Sequence, residues 1–365
     1  MRPRRSARPR LGASRPRRCT SLPFGLPPVN LYSDTQTRPS EVMRAAMAAA
    51  EVGDEQRGAD PTTRALERRV AELLGHQAAV FLPSGTMCNE IALRLHVRPG
   101  GDEVILESSS HPVVAEAGGP AQLSGAMIRA LDGDGGIFSA AQLEAAVRPA
   151  GERYAPRSRL VCVEQTTNLG GGRVWPLQSV RELLAVARRH ELRAHLDGAR
   201  LMNAVVASGV PASEYARGFD TAWIDFTKGL GAPVGAVLAG SGELIEQAWR
   251  WKQMLGGALR QSGILAAACL YALDHNVDRL AEDHEHARTL ARGLAALPGA
   301  RIDPAAVQTN IVIFAVEDAP GVVAQLAERV ELYAIDKQHV RAVTHLDVSR
   351  GEIDTALEAI AELLG

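Results

Sequence analysis

The feature that most constrains the fold is a regular alternation of short apolar runs with longer amphipathic stretches. Runs typical of buried strands occur at 78–82, 103–106, 160–163, 194–196, 221–226 and 234–239. Helical spacing is clear between them, for example over 177–189. Strands separated by helices form a mainly parallel sheet that is covered on both faces. The chain is therefore predicted to be an α/β protein.

Local signals set the ends of the predicted elements. Ser40 is predicted to cap a helix that runs to Gly53. Asp60 and Pro61 indicate a second helix start, and Gly75 indicates its end. Beyond about residue 280, strands are predicted at 311–316, 332–335 and 343–348, interleaved with helices.

These patterns predict four segments. In chain order they are a disordered Arg-rich tail at 1–22, an N-terminal arm at 23–40, a large domain at 41–278, and a small α+β domain at 279–365.

Charge and composition narrow the class of protein. Residues 1–20 carry eight arginines and no acid, yet the whole chain has a net charge of −2. The remainder is thus acidic, and no nucleic-acid partner is expected. No apolar run is long enough to span a bilayer, and the N-terminus lacks the apolar segment of a secretory signal. We expect no membrane partner.

The cysteines indicate the compartment. Cys19, Cys88, Cys162 and Cys269 are scattered and form no CxxC pair. This usage favours a reducing compartment and no cysteine-based metal site. We therefore expect a cytoplasmic protein without a metal.

Lys228 ends an apolar run and is followed at once by glycines at 229, 231 and 235. Only three of the 40 Lys and Arg residues are lysines, so a lysine at this point suggests a need for its amine. Arginine keeps its proton near neutral pH, whereas lysine can lose it, and a Schiff base requires a neutral amine. The alternative is an ordinary exposed lysine.

Three further groups follow predicted strands. Ser84, Gly85 and Thr86 lie between a strand and a helix, where free N–H groups form an anion cradle or a plain helix cap. His111 would be a stacking or acid–base group, or a surface histidine. Asp197 would meet a cation, or cap a helix.

Strand ends of this kind meet at one edge of a parallel sheet. A phosphate cradle, a flat side chain, a carboxylate and a lysine are the groups that pyridoxal 5'-phosphate (PLP) chemistry requires. The sequence therefore predicts PLP as cofactor, bound by the large domain.

From about residue 30 to 350 the chain also resembles a known family. The matching motifs are SDTQTRP at 33–39, PSGTM at 83–87, EAGG at 116–119, HLDGARL at 195–201 and KGLGAPVG at 228–235. They resemble the threonine aldolase/β-eliminating lyase family of fold-type-I PLP enzymes, which are similar to aspartate aminotransferase.

The resemblance implies a role for each matched residue. Lys228 would form the Schiff base, Asp197 would face the pyridine nitrogen, and His111 would stack on the ring. The phosphate would be held by Ser84, Gly85 and Thr86, Arg200 would also contact the cofactor, and the substrate carboxylate would be bound by Ser33, Arg200 and Arg341.

The family likeness extends to the quaternary structure. The segment 249–257 resembles one that lies close to the cofactor of a neighbouring subunit. The resemblance thus implies a homo-oligomer, a dimer or the tetramer that is typical of the family.

Two positions depart from the family pattern. Arg57 replaces a usual tyrosine, and Thr167 replaces a usual histidine near the β-hydroxyl of the substrate. A threonine cannot serve as a general base near pH 7. Arg57 would pair with a second carboxylate, as in 3-hydroxyaspartate, or else with Glu55, Asp60 or the phosphate.

The expected activity is that of a lyase which cleaves a threonine-like β-hydroxy-α-amino acid to glycine and an aldehyde. β-Elimination, or other chemistry at Cα, is the alternative raised by Thr167. A non-catalytic PLP-fold binding protein is a third hypothesis, against which the intact Lys228 and Asp197 argue.

Overall fold

The structure is a computed structural model that describes residues 29–99 and 101–365. The tail predicted at 1–22 and the first part of the predicted arm, 23–28, lie outside the described residues. In the part that is described, no helix is long and apolar enough to cross a membrane.

The strands are numbered along the chain. They are β1 (Val29–Asn30), β2 (Ala78–Leu82), β3 (Asp102–Glu107), β4 (Met127–Leu131), β5 (Arg157–Glu164), β6 (Arg193–Asp197), β7 (Thr221–Asp225), β8 (Ala236–Gly240), β9 (Ile311–Ala315), β10 (Val330–Glu331), β11 (Tyr333–Ala334) and β12 (His339–Val343).

The α-helices are numbered in the same way. They are α1 (Glu41–Ala48), α2 (Pro61–Leu74), α3 (Gly85–His96), α4 (His111–Val114), α5 (Gly119–Ser124), α6 (Ala140–Ala146), α7 (Leu177–Arg189), α8 (Leu201–Ser208), α9 (Ala212–Ala216), α10 (Gly242–Met254), α11 (Gly263–His275), α12 (Leu280–Ala295), α13 (Ala319–Leu326) and α14 (Arg350–Leu364).

A seven-stranded sheet forms the centre of the molecule, in the order β2-β8-β7-β6-β5-β3-β4. Only β8 runs antiparallel to its neighbours, so the predicted mainly parallel sheet is confirmed. Successive side chains of β2 enter different clusters: Phe81 packs with helix α2, whereas Val80 and Leu82 pack with α3 and α10. Both faces are therefore covered, which accounts for the continuous apolar runs in the sequence.

The predicted helix caps form as expected, although one helix end does not. Ser40 accepts a hydrogen bond from the Met43 N–H, but α1 ends at Ala48, well before Gly53. Asp60 accepts from the Thr63 N–H at 2.9 Å, and Gly75 ends α2 with a φ of 70°. Positive φ is what glycine adopts without strain.

The C-terminal strands β11, β12 and β9 form a small antiparallel sheet, which packs with β1, α12 and α14. The strand predicted at 311–316 corresponds to β9. The prediction of a strand at 343–348 is wrong, because β12 ends at Val343. Thr344 leaves the sheet, and its hydroxyl donates to the carbonyl of Asp283.

The N-terminal segment joins this small sheet to the large one. β1 pairs in parallel with β10, and the Val343 N–H donates to the Leu31 carbonyl at 2.8 Å. Further along, the Thr37 hydroxyl donates to the carbonyl of Lys228 at 2.9 Å. The turn that carries Lys228 is therefore held by the start of the described chain.

Lys252 in α10 generates a prediction about stability. Its side chain is fully buried, forms an ion pair with Glu55, and lies with Nζ 4.5 Å from the centroid of the Trp249 ring. Lys252→Met would leave the Glu55 charge buried and unpaired, which typically costs about 3–5 kcal/mol. We expect urea unfolding to show a loss of that size.

The matched control is the double variant Lys252→Met/Glu55→Gln, which removes both charges. It is expected to recover part of the lost stability. A single variant as stable as the wild type would show that the pair contributes nothing.

Candidate active site

Lys228 lies just beyond the carboxyl end of β7, as predicted. Its amine forms an ion pair with Asp225, the last residue of β7, and lies 5.9 Å from the centroid of the Trp223 ring. The second oxygen of Asp225 accepts from the Thr227 N–H at 2.9 Å and from its hydroxyl at 2.7 Å. The amine is thus held in place by a carboxylate that is itself fixed.

The start of α3 forms an anion cradle next to this turn. Ser84 caps the helix by accepting from the Met87 N–H at 3.2 Å. Among the residues that the structure describes, the N–H groups of Gly85 and Thr86 have no acceptor, because the first turn of a helix has no internal acceptors. A Cβ on Gly85 would lie 2.3 Å from the Trp223 ring, so only glycine fits at this position.

Asp197 ends β6 and is only 3% exposed. One carboxylate oxygen accepts from the Ala199 N–H at 3.0 Å, and the other accepts from Nδ2 of Asn89 at 2.8 Å. Burial raises the pKa of Asp197, whereas the hydrogen bond from Asn89 and the charge of His111 oppose that shift. The site therefore contains a buried acid with dedicated donors.

His111 begins α4, and its ring remains partly accessible. Nδ1 lies 2.7 Å from the carboxylate of Glu116. This hydrogen bond raises the pKa of His111, and the charge of Asp197 acts in the same direction while that of Lys228 opposes it. The three predicted catalytic residues are therefore close enough for their charges to interact.

Arg200 is held by an acid that the sequence analysis did not assign. Nε and Nη2 donate to Asp34 at 2.8 and 2.6 Å, and Asn310 also donates to Asp34 at 3.0 Å. Burial alone would raise the pKa of Asp34, but the Arg200 guanidinium holds it well below the usual range. The forked face of Arg200 is thus occupied by Asp34.

Arg341 in β12 differs from Arg200 in this respect. Its Nε atom is buried and has no hydrogen-bond partner among the described residues. Burial, with the nearby charge of Arg200, lowers the pKa of Arg341 to about 10. Ser33 is buried beside Asp34 and caps the short 3-10 helix at 34–36. Of the two predicted carboxylate-binding arginines, Arg341 is the one with a buried nitrogen that has no hydrogen-bond partner among the described residues.

Thr167 and Arg57 lie in different surroundings. Thr167 is 1% exposed, and its hydroxyl accepts from the Arg173 N–H at 3.1 Å. Arg57 is exposed at the end of a 3-10 helix and makes no ion pair within residues 29–99 and 101–365. Glu55 pairs with Lys252 and Asp60 caps α2, so both proposed acidic partners of Arg57 are engaged elsewhere.

Several groups of the site were missed by sequence reasoning. They are buried on helices, at strand ends or in the turn between α4 and α5, and include Asn89, Glu90, Glu116, Glu164, Asp34 and Asp225. Gly119 was a sequence signal for a close contact at this point, because a Cβ there would lie 2.0 Å from a carboxylate oxygen of Glu90. Polar residues in a helix otherwise give no sign of whether they face water or the core.

The donor set fits PLP. The free N–H groups at the start of α3 suit a phosphate, Lys228 offers an amine, and Asp197 offers a buried carboxylate for a protonated ring nitrogen. The unpaired Nε of Arg341 suits the carboxylate of an amino acid.

The sheet order and the site together define a fold-type-I enzyme, as predicted. The chain belongs to the beta-eliminating lyase family, whose model matches residues 30–317. It is 41% identical over 344 residues to the probable low-specificity L-threonine aldolase 2 of Arabidopsis thaliana. That alignment covers 92% of this chain and 97% of the relative.

A second relative and a solved structure with a similar fold are also named threonine aldolases. The low specificity L-threonine aldolase of Escherichia coli K12 is 40% identical over 327 residues, which are 89% of this chain and 96% of the relative. The fold matches the structure of threonine aldolase from Leishmania major with a TM-score of 0.80 at 22% identity, over 93% of this chain and 100% of the other.

Glu90, next to Glu116, generates a prediction about pH. Burial, and then the adjacent Glu116, raise the pKa of Glu90 from 4.5 to about 8. The folded protein thus keeps a proton that the unfolded chain loses above pH 4.5. This contribution to stability is full below pH 4.5 and is lost as the pH rises to about 8.

Glu90→Gln removes this titration and keeps the shape of the side chain. We expect its thermal midpoint, relative to that of the wild type, to be higher at pH 9 than at pH 5.5. Groups that do not contact Glu90 titrate alike in both proteins, so a difference between midpoints that does not change with pH would refute the assignment.

Proposed function

We propose that this protein is a PLP-dependent aldolase that cleaves a threonine-like β-hydroxy-α-amino acid to glycine and an aldehyde. The observation that carries the proposal is the meeting of Lys228, Asp197 and the α3 cradle at one edge of the sheet. The names of the relatives, which are L-threonine aldolases, support the choice of substrate class.

The described residues divide the binding of the cofactor among them. The N–H groups of Gly85 and Thr86 would hold the phosphate, and the Lys228 amine would bond to the aldehyde carbon. Asp197 would lie beside the ring nitrogen, and His111 would cover the ring. The bound cofactor supplies an electron sink for the electron pair released at Cα when the bond to Cβ breaks.

The substrate carboxylate is assigned to Arg341, with Ser33 nearby. An anion that binds Arg341 satisfies a buried guanidinium that has an unused donor, which makes the contact favourable. Arg200 contributes charge to this region while its forked face remains with Asp34.

Proton transfer at the β-hydroxyl is assigned to His111. Thr167 offers no base, because its hydroxyl is buried and accepts from the backbone of Arg173. In a neutral His111, Nδ1–H donates a hydrogen bond to the Glu116 carboxylate, and this leaves Nε2 as the basic nitrogen.

Product analysis tests the proposal. Purified wild-type protein with PLP and threonine is expected to give glycine and acetaldehyde in equal amounts. Lys228→Ala should abolish this activity, whereas Lys337→Ala, which changes an exposed lysine, should leave it unchanged. A 2-oxo acid and ammonia, formed from threonine or serine instead, would establish elimination and refute the aldolase assignment.

We also propose a homotetramer. An exposed cavity of about 600 Å³ lies between α10 and the 3-10 helix that ends at Arg57, and it is lined by Trp249, Arg250 and Met254. Met254 is 61% exposed, and Gly257 packs against Met87 close to the cradle. This face suits a second copy of the chain, which would bring Arg57 close to the active site of the partner.

Arg57 has no acidic partner among the described residues, so at that place it would favour substrates with a second carboxylate. We expect light scattering to give the mass of a tetramer, and 3-hydroxyaspartate to have a higher kcat/KM than threonine. Arg57→Tyr should reverse that preference. A monomer in solution, or a ratio that Arg57→Tyr does not change, would overturn the role of Arg57.

The protein is also proposed to work in the cytoplasm. Within the described residues, Cys88, Cys162 and Cys269 are buried free thiols, which suits a reducing compartment. Cell fractionation tests this location, and recovery of the protein from an oxidising compartment would exclude it.

A further inference from the structure

A line of buried side chains runs from Asp197 through the sheet. Asn89 Nδ2 lies 2.8 Å from Asp197, and Asn89 Oδ1 lies 3.2 Å from His195 Nε2. His195 Nδ1 lies 2.8 Å from the hydroxyl of Thr221, which in turn lies 2.9 Å from His96 Nε2. All five side chains are buried.

The direction of each hydrogen bond follows from Trp223. Its indole N–H, which can only donate, lies 2.8 Å from Asn89 Oδ1 and so fixes that atom as an acceptor. His195 Nε2 must therefore donate to the same oxygen. Burial lowers the pKa of His195 to about 3, so its ring is neutral and Nδ1 accepts from Thr221.

The amide nitrogen of Asn89 consequently faces two carboxylates. One N–H donates to Asp197 at 2.8 Å, and the other donates to Glu116 at 2.7 Å. Turning the amide over would set its oxygen against both acids and its nitrogen against the N–H of Trp223. Each mismatch would leave buried polar groups unpaired, so a single orientation is stable.

We propose that Asn89 is the positioning residue that keeps Asp197 ionised and aimed at the ring nitrogen of PLP. The inference rests on the proposed function, since Asp197 has that partner only when PLP binds. Within the described part of the chain, Asn89 is the only side chain that donates to Asp197, whose other oxygen accepts from the Ala199 N–H. The same amide also donates to Glu116, the carboxylate that bonds to Nδ1 of His111.

The test compares two ligands in each protein. The dissociation constants of PLP and of its 1-deaza analogue, in which carbon replaces the ring nitrogen, are measured by fluorescence quenching. Only PLP offers a nitrogen to Asp197, so the ratio of the two constants reports that contact. Wild-type protein is expected to prefer PLP, and Asn89→Leu should reduce the preference by about tenfold.

Asn203→Leu is the matched control. Asn203 is also a buried asparagine that bonds to a histidine, with Nδ2 3.2 Å from Nε2 of His284, but it lies in α8 and makes no contact with Asp197 among the described residues. General loosening of the protein would weaken both ligands alike and leave the ratio unchanged. Asn203→Leu should therefore keep the wild-type preference.

Asn89→Asp serves if Asn89→Leu fails to fold. This variant keeps an acceptor for Trp223 and His195 but places an oxygen where Asn89 donates to Asp197. At pH 9 it should lose the preference for PLP over the 1-deaza analogue. A preference retained in the Asn89 variants overturns the role of Asn89 alone. Wild-type protein that fails to bind PLP overturns the proposed function, and this inference with it.

Discussion

A carboxylate that must stay charged inside the core is the constraint on which this site depends. Asp197 ends a central strand and is almost fully buried, so its ionised form relies on donors from two elements, the turn after β6 and helix α3. The charge of Asp197 affects the neighbouring Glu164. Burial, and then the charge of Asp197, raise the pKa of Glu164 to about 7, so this acid is partly protonated near neutral pH. The site thus limits the number of negative charges around Asp197.

A second buried ion pair, Asp34 with Arg200, lies near Lys228 and Arg341. Asp34 comes from the N-terminal segment, Arg200 from the residue before α8, and Asn310 from the residue before β9. This contact ties three distant parts of the chain together and uses the forked face of one arginine. Arg341 is left as a nearby cation with an unused donor. The two arginines differ because Asp34 accepts hydrogen bonds from Arg200 and not from Arg341 among the described residues.

Local pattern predicted most of the large sheet and several helix ends, because strand runs and caps depend on adjacent residues. Ser40, Asp60 and Gly75 act through hydrogen bonds or φ values within one helical turn. Contacts between residues far apart in the chain are not visible in the local sequence pattern. Asn89 and Asp197 are 108 positions apart, and Asp34 and Arg200 are 166 apart. The false strand at 343–348 has the same cause, since Thr344 bonds to Asp283 in another element. The roles assigned to the site residues remain predictions.

The placement of the N-terminal segment also bears on how the protein is made. β1 pairs with β10, the imidazole of His345 donates to the Asn30 carbonyl, and the Thr37 hydroxyl donates to the Lys228 carbonyl. The ribosome releases residues 29–37 long before it has synthesised the partners of β1. Contacts that are so far apart in sequence form late, because a long loop must close first. The contacts that join the N-terminal segment to β10 and His345 therefore form only after residues 330–345 have been synthesised, long after Lys228 and Asp197.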